Sequence, residues 1–102
     1  MAQSMLAKMR PIHPGEILRE DVLPALGRPK TEIARLLGIS RQTLYDILNE
    51  RQPVTATMAL RIGKLCGNGA EIWLNLQKRY DLKIAERAIG DALDAIPLLR
   101  AA

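Results

Sequence analysis

The chain has 102 residues, 48% of them apolar and 25% charged, with 15 Lys plus Arg against 11 Asp plus Glu. That composition fits one domain with a modest core, excludes general disorder, and offers no apolar run near the roughly 18 residues of a membrane span. Basic residues outnumber acidic ones 8 to 6 in residues 1–55 and 7 to 5 in residues 56–102, so the excess is evenly spread and permits a polyanionic partner without demanding one.

The single cysteine, Cys66, excludes an intrachain disulfide and a cysteine-based metal cluster. The opening "MAQSMLAKMR" lacks the apolar stretch of a signal peptide, so a cytoplasmic location is expected. Phe is absent, β-branched runs are lacking, and Ala, Leu, Ile, Arg and Glu dominate, which predicts an all-α fold. No internal repeat or low-complexity linker interrupts the chain.

Residues 1–10 read as a flexible segment. "HPGEILREDVLPALG" then opens a helix: His13 is placed to cap it, Pro14 suits the first turn, and Glu16 can bond back to the cap amide. Ile17, Leu18 and Val22 are expected to face inward, and Pro24 to end or kink the helix near Leu23. From Lys30 to Leu37 a second helix carries Ile33, Ala34, Leu36 and Leu37, and Gly38 can stop it in the left-handed conformation.

Ser40 is a good cap for a third helix that buries Leu44, Ile47 and Leu48. Arg41, Gln42, Tyr45, Asp46 and Asn49 gather on its outer side. "PVTATMALRIGKLCG" predicts a fourth helix capped by Thr55, with Met58, Ala59, Ile62, Leu65 and Cys66 inward and Gly67 as its stop. Trp73, Leu76 and Tyr80 mark a fifth, with Trp73 as a core anchor. Beyond it, Ala85, Ala88, Ile89, Ala92, Leu93 and Ile96 recur at helical spacing up to Pro97. Gly90 weakens that pattern by about 1 kcal/mol. This stripe either folds back or meets another chain, and the second outcome, a homodimer through Ala85, Ile89, Ala92, Leu93 and Ile96, is the one expected.

With Lys30 as first position, a helix-turn-helix needs apolar, small, apolar, Gly, apolar, apolar and apolar residues at seven defined places. Ile33, Ala34, Leu37, Gly38, Ile39, Leu44 and Ile47 fill all seven. Such a unit offers the start of its second helix to the major groove of DNA. Arg41 can donate a bidentate pair to guanine, Gln42 can bridge adenine, and Asp46 can accept from cytosine. Ser40 and Thr43, with the free amides beside them, suit phosphate. A merely solvated polar face is the competing reading.

Beyond the generic unit, "HPGEIL" (13–18), "LLGISRQTLYDILN" (36–49), "TATMALRIGKLCG" (55–67) and "EIWLNLQKRYDL" (71–82) resemble the HigA-type antitoxins of the lambda-repressor-like, or Xre, class. The resemblance spans residues 11–82. It implies five core helices, a homodimer, a palindromic operator, and a small transcription factor without catalytic activity. It further implies a HigB-like partner of the RelE type, an mRNA-cleaving toxin that the antitoxin neutralises, with repression of the shared operon. By position it carries DNA contact to Arg41, Gln42, Thr43, Tyr45 and Asp46, with Ser40 and Lys30 near phosphate. Relatives often open the second helix with Ser-Gln, whereas Pro29-Lys30 stands here and replaces an amide by a mobile point charge. Residues 83–102 then read as a C-terminal helical extension.

A stand-alone regulator without a toxin, and a toxin-binding module that no longer reads DNA, remain as alternatives. One His, one Cys and no clustered carboxylates supply no catalytic constellation, metal site or cofactor site. No small-molecule substrate and no membrane partner are expected.

Overall fold

The computed structural model describes residues 10–100. All regular structure among them is helical, as the composition predicts. Helix α1 (Pro14–Ile17) passes through a π-helical turn (Leu18–Val22) into α2 (Leu23–Leu26). Helices α3 (Lys30–Leu37) and α4 (Arg41–Leu48) form the helix-turn-helix. Helix α5 (Ala56–Cys66) packs along α6 (Ala70–Ile89), and α7 (Asp91–Asp94) is a single turn against the end of α6. Taken with α1, the π turn and α2 as one rod, α1–α6 supply the five core helices expected.

His13 starts the first rod as predicted. Its backbone is extended (φ −75°, ψ 139°), and its Nδ1 accepts from the Gly15 amide at 2.9 Å. The expected return bond from Glu16 is absent. Glu16 instead takes two 2.7 Å hydrogen bonds from Arg10, a fork-to-carboxylate match stronger than one bond to a neutral amide. Arg10, placed at the end of the segment expected to be flexible, is therefore tied down; residues 1–9 of that segment lie outside the described residues. Gly15 is required for another reason, since a Cβ there would run into the carbonyl oxygen of Ile47. The start of α1 thus rests directly on the backbone of α4.

The interruption expected at Pro24 takes the form of the π turn, and the helix continues to Leu26. Proline lacks an N–H and its ring clashes with the carbonyl four residues back in a regular α-helix. The wider turn just before it, where the Leu23 amide reaches the Leu18 carbonyl, makes room for the ring. Leu23, not singled out by periodicity, is buried here.

The core gathers around Ile33, Ala34, Leu44, Ile47, Ala59 and Ile62, all at most 2% exposed. Leu36 departs from expectation and is exposed; Leu65 and Cys66 are only partly buried. Trp73 closes the core, and its indole N–H reaches Asn68 Oδ1 at 2.9 Å. Gln77 is buried as well: its Oε1 accepts from the Val54 amide at 2.8 Å and its Nε2 donates to Asp81 at 2.9 Å. That pair fastens the loop before α5 to α6.

Helix α6 runs unbroken across residues 82 and 83, where the core region was expected to give way to the extension. Gly90 (φ 53°, ψ −129°) ends it. Every residue from Ile84 to Arg100 is exposed, so the apolar stripe does not fold back onto the chain.

Candidate nucleic-acid interface

The turn between α3 and α4 is built from the bonds that a left-handed glycine allows. Gly38 (φ 73°, ψ 32°) sends its amide to the Arg35 carbonyl at 3.1 Å, and the Ile39 amide reaches back to Ala34 at 3.0 Å. Those two bonds satisfy carbonyls that a helix end otherwise leaves orphaned, while Ile39 packs against the core. From α5, Arg61 donates to the Leu37 carbonyl at 2.8 Å. Sequence reasoning missed Arg61, and only the tertiary fold reveals it.

Ser40 then begins α4. Its hydroxyl oxygen accepts from the Thr43 amide at 3.0 Å, and its O–H donates to the Thr43 hydroxyl at 2.9 Å. The Ser40 hydroxyl is thereby committed to the cap, and Thr43 keeps its own O–H to donate. Arg41 and Gln42 follow on the first turn and are exposed. Arg41 makes no ion pair among the described residues.

Gln42 donates from Nε2 to Asp46 Oδ1 at 2.8 Å, one turn along the helix. Arg51 approaches the same oxygen at 3.9 Å. The Asp46 carboxylate therefore has partners within the protein. Across the unit, Lys30 Nζ stands 5.7 Å from the centroid of the Tyr45 ring, a distance that suits a cation–π contact. Pro29 caps α3 without a side-chain bond, as its chemistry predicts.

Lys30, Ser40, Arg41, Gln42, Thr43, Tyr45 and Asp46 thus lie on α3 or the first turns of α4. Asn49 is set apart: it is the C-terminal cap of α4, about 12 Å along the axis from Arg41. That end of α4 is held from the first rod, where Arg19 donates to the Leu48 carbonyl and pairs with Glu50 at 3.4 Å. Glu50 adopts a left-handed backbone (φ 62°). Arg19 was not foreseen either, because nothing local in the sequence links residues 29 positions apart.

The residues expected at a dimer contact, Ala85, Ile89, Ala92, Leu93 and Ile96, are all exposed in the single chain. Burial pushes the Cys66 thiol up from its ordinary value, opposite to what a reactive thiolate requires. Among the described residues no group of three metal-ligating side chains assembles. No described helix is long and apolar enough to cross a membrane.

Three kinds of comparison agree with this geometry. A helix-turn-helix family profile matches residues 18–73. Virulence-associated protein I of Dichelobacter nodosus is 42% identical over 91 residues, covering 89% of this chain and 84% of the relative. Antitoxin HigA-1 of Vibrio cholerae is 33% identical over 75 residues, covering 74% and 70%. Among solved structures, the Pseudomonas aeruginosa antitoxin HigA with the higBA promoter superposes with a TM-score of 0.82 at 40% identity, covering 88% of this chain and all of that one. The chain belongs to the helix-turn-helix family of HigA-type antitoxins.

Proposed function

We propose that this chain is a sequence-specific DNA-binding antitoxin that acts as a homodimer in the cytoplasm. It represses its own operon and neutralises a HigB/RelE-like, mRNA-cleaving toxin; it has no catalytic role of its own. The observation that carries the reading is the exposed first turn of α4, which starts at the Ser40 cap directly after the Gly38 turn. The Pseudomonas relative with a promoter supports it further.

In this reading Arg41 donates two parallel bonds to guanine, and Gln42 bridges an adenine. Lys30, Thr43 and the first amides of α4 meet phosphate, with Tyr45 alongside. Ser40 fixes the helix start. Asp46 acts through Gln42: with one Nε2 hydrogen held by Asp46, the amide keeps its Oε1 and second hydrogen for adenine N6 and N7. Partnering Gln42 and Arg51 also makes the carboxylate tolerable beside phosphates. Asn49, at the far end, contacts the backbone only. Two-fold symmetry through Ala85, Ile89, Ala92, Leu93 and Ile96 sets two half-sites one helical turn apart, about 34 Å.

The test is co-purification with the product of the neighbouring gene, followed by binding of the chain and of the complex to the upstream DNA. Capture of an mRNA-cleaving protein and a salt-sensitive shift of that DNA are expected. Operator binding without any toxin would leave a stand-alone regulator. Toxin inhibition without operator binding would leave a neutralising module that no longer reads DNA.

A further inference from the structure

Several cations around the helix-turn-helix already have partners. Arg28 is bridged to Glu32 at 2.6 Å, Arg51 approaches Asp46 at 3.9 Å, and Lys30 stands over the Tyr45 ring. Arg61, which reaches the unit from α5, differs from them. It makes no ion pair among the described residues, yet its head group is held in place by the 2.8 Å bond from Nη1 to the Leu37 carbonyl. The guanidinium lies against the turn itself, since a Cβ added at Gly38 would stand 2.7 Å from Nη1. The residue is nonetheless exposed.

That position has two consequences. The last carbonyls of α3 are the negative end of a helix and repel an anion brought to the turn. A full positive charge on the Leu37 carbonyl reverses the sign there. A guanidinium also carries five N–H donors in a planar fork, and the Leu37 bond is the one hydrogen bond Arg61 makes among the described residues. Helix α5 adds Lys64 and no carboxylate. Ser40, where α4 begins, is two residues from Gly38 and so no more than about 7 Å along the chain.

We infer that Arg61 grips a backbone phosphate of the operator beside the α3–α4 turn, from a helix outside the helix-turn-helix. One N–H stays on the Leu37 carbonyl, and the others form charge-assisted bonds to the phosphate oxygens. Because the Leu37 bond already orients the head group, little side-chain freedom is lost when DNA arrives. The same guanidinium then joins the turn to the DNA backbone, which fixes the depth and register of the Arg41–Gln42 end of α4. A phosphate contact carries no base information, so Arg61 sets affinity and position and leaves base choice to Arg41 and Gln42.

The inference rests on the DNA reading proposed above. It is tested on the full chain by binding to the DNA upstream of its gene over a series of salt concentrations. The parent is compared with Arg61→Gln, Arg61→Lys and Arg79→Gln, the last a control cation on α6, and circular dichroism checks helicity. For Arg61→Gln the slope of log affinity against log salt is expected to become shallower by about one per bound chain, with the ranking of single-base operator variants unchanged. Arg61→Lys keeps the charge and is expected to keep the parent slope, as is Arg79→Gln. A second measurement needs no substitution: the DNA is expected to shield Arg61 from phenylglyoxal together with Arg41, as read by peptide mass. A parent that does not bind the upstream DNA overturns the DNA reading and the contact together. A parent that binds in a salt-sensitive way while Arg61→Gln keeps its slope overturns the contact alone and leaves Arg61 as a cap on α3. Equal modification of Arg61 with and without DNA does the same. An equal flattening by Arg79→Gln assigns the effect to net charge and also overturns the contact.

Discussion

Gln42 and Asp46 are joined by a 2.8 Å hydrogen bond across one turn of α4, on the face proposed above to meet DNA. A carboxylate that reads cytosine and one that aims a neighbouring amide make different demands on the operator. In the first case Asp46→Ala relaxes choice at a base pair of its own. In the second it relaxes choice at the same base pair as Gln42→Ala, and the double variant loses no more than either single one. The second outcome is expected, with a loss of about 1–3 kcal/mol at that pair. Anisotropy titrations over single-base operator variants decide; relaxation at two separate base pairs would return Asp46 to direct readout.

The helix that carries these residues is positioned by close contact. Because a Cβ at Gly15 meets the Ile47 carbonyl, Gly15→Ala must push α1 off α4. A cost of about 1–3 kcal/mol is expected, as for overpacked cores. Urea unfolding measures it. Equal stability of Gly15→Ala and the parent would show that the two backbones do not touch.

His13 ties the same region to pH. Burial of the imidazole lowers its pKa from the ordinary 6.5, with the nearby Glu50 and Asp81 carboxylates and a backbone hydrogen bond with Gln52 opposing. The neutral ring is also the form that accepts from the Gly15 amide. In the unfolded chain His13 takes up a proton near pH 6.5, which the fold resists. Its contribution is therefore fully present above that pH and declines as pH falls toward the lowered folded value. His13→Asn keeps a capping side chain without the titration. Between about pH 7.5 and about pH 5.5 the parent should lose more stability than His13→Asn. Parallel losses would contradict a neutral, buried His13.

What was legible in the sequence was what is local. Gly38, Ser40 and Thr55 declare turn and caps through residues within a few positions, so the frame around α4 could be read directly. The Gln42–Asp46 bond was also within reach, since residues four apart on a helix are neighbours. Arg61 under the Gly38 turn, Arg19 at the end of α4 and Gln77 on Val54 were not, because each joins elements 23 to 29 positions apart. Pro24 announced a break but not its form, as a π turn and a helix end satisfy the missing donor equally well. Leu36 and the stripe after Leu82 have helical spacing yet stay exposed in one chain, and periodicity does not distinguish a core from a surface awaiting a partner.

The most direct test is the affinity of Arg41→Ala for the operator and for variants at each base pair, at fixed salt. The account predicts a loss of about 1–3 kcal/mol on the natural operator and indifference at one guanine-bearing pair of each half-site, with the rest of the preference intact. An Arg41→Ala protein that ranks every operator variant as the parent does would contradict the placement of this helix end in the groove.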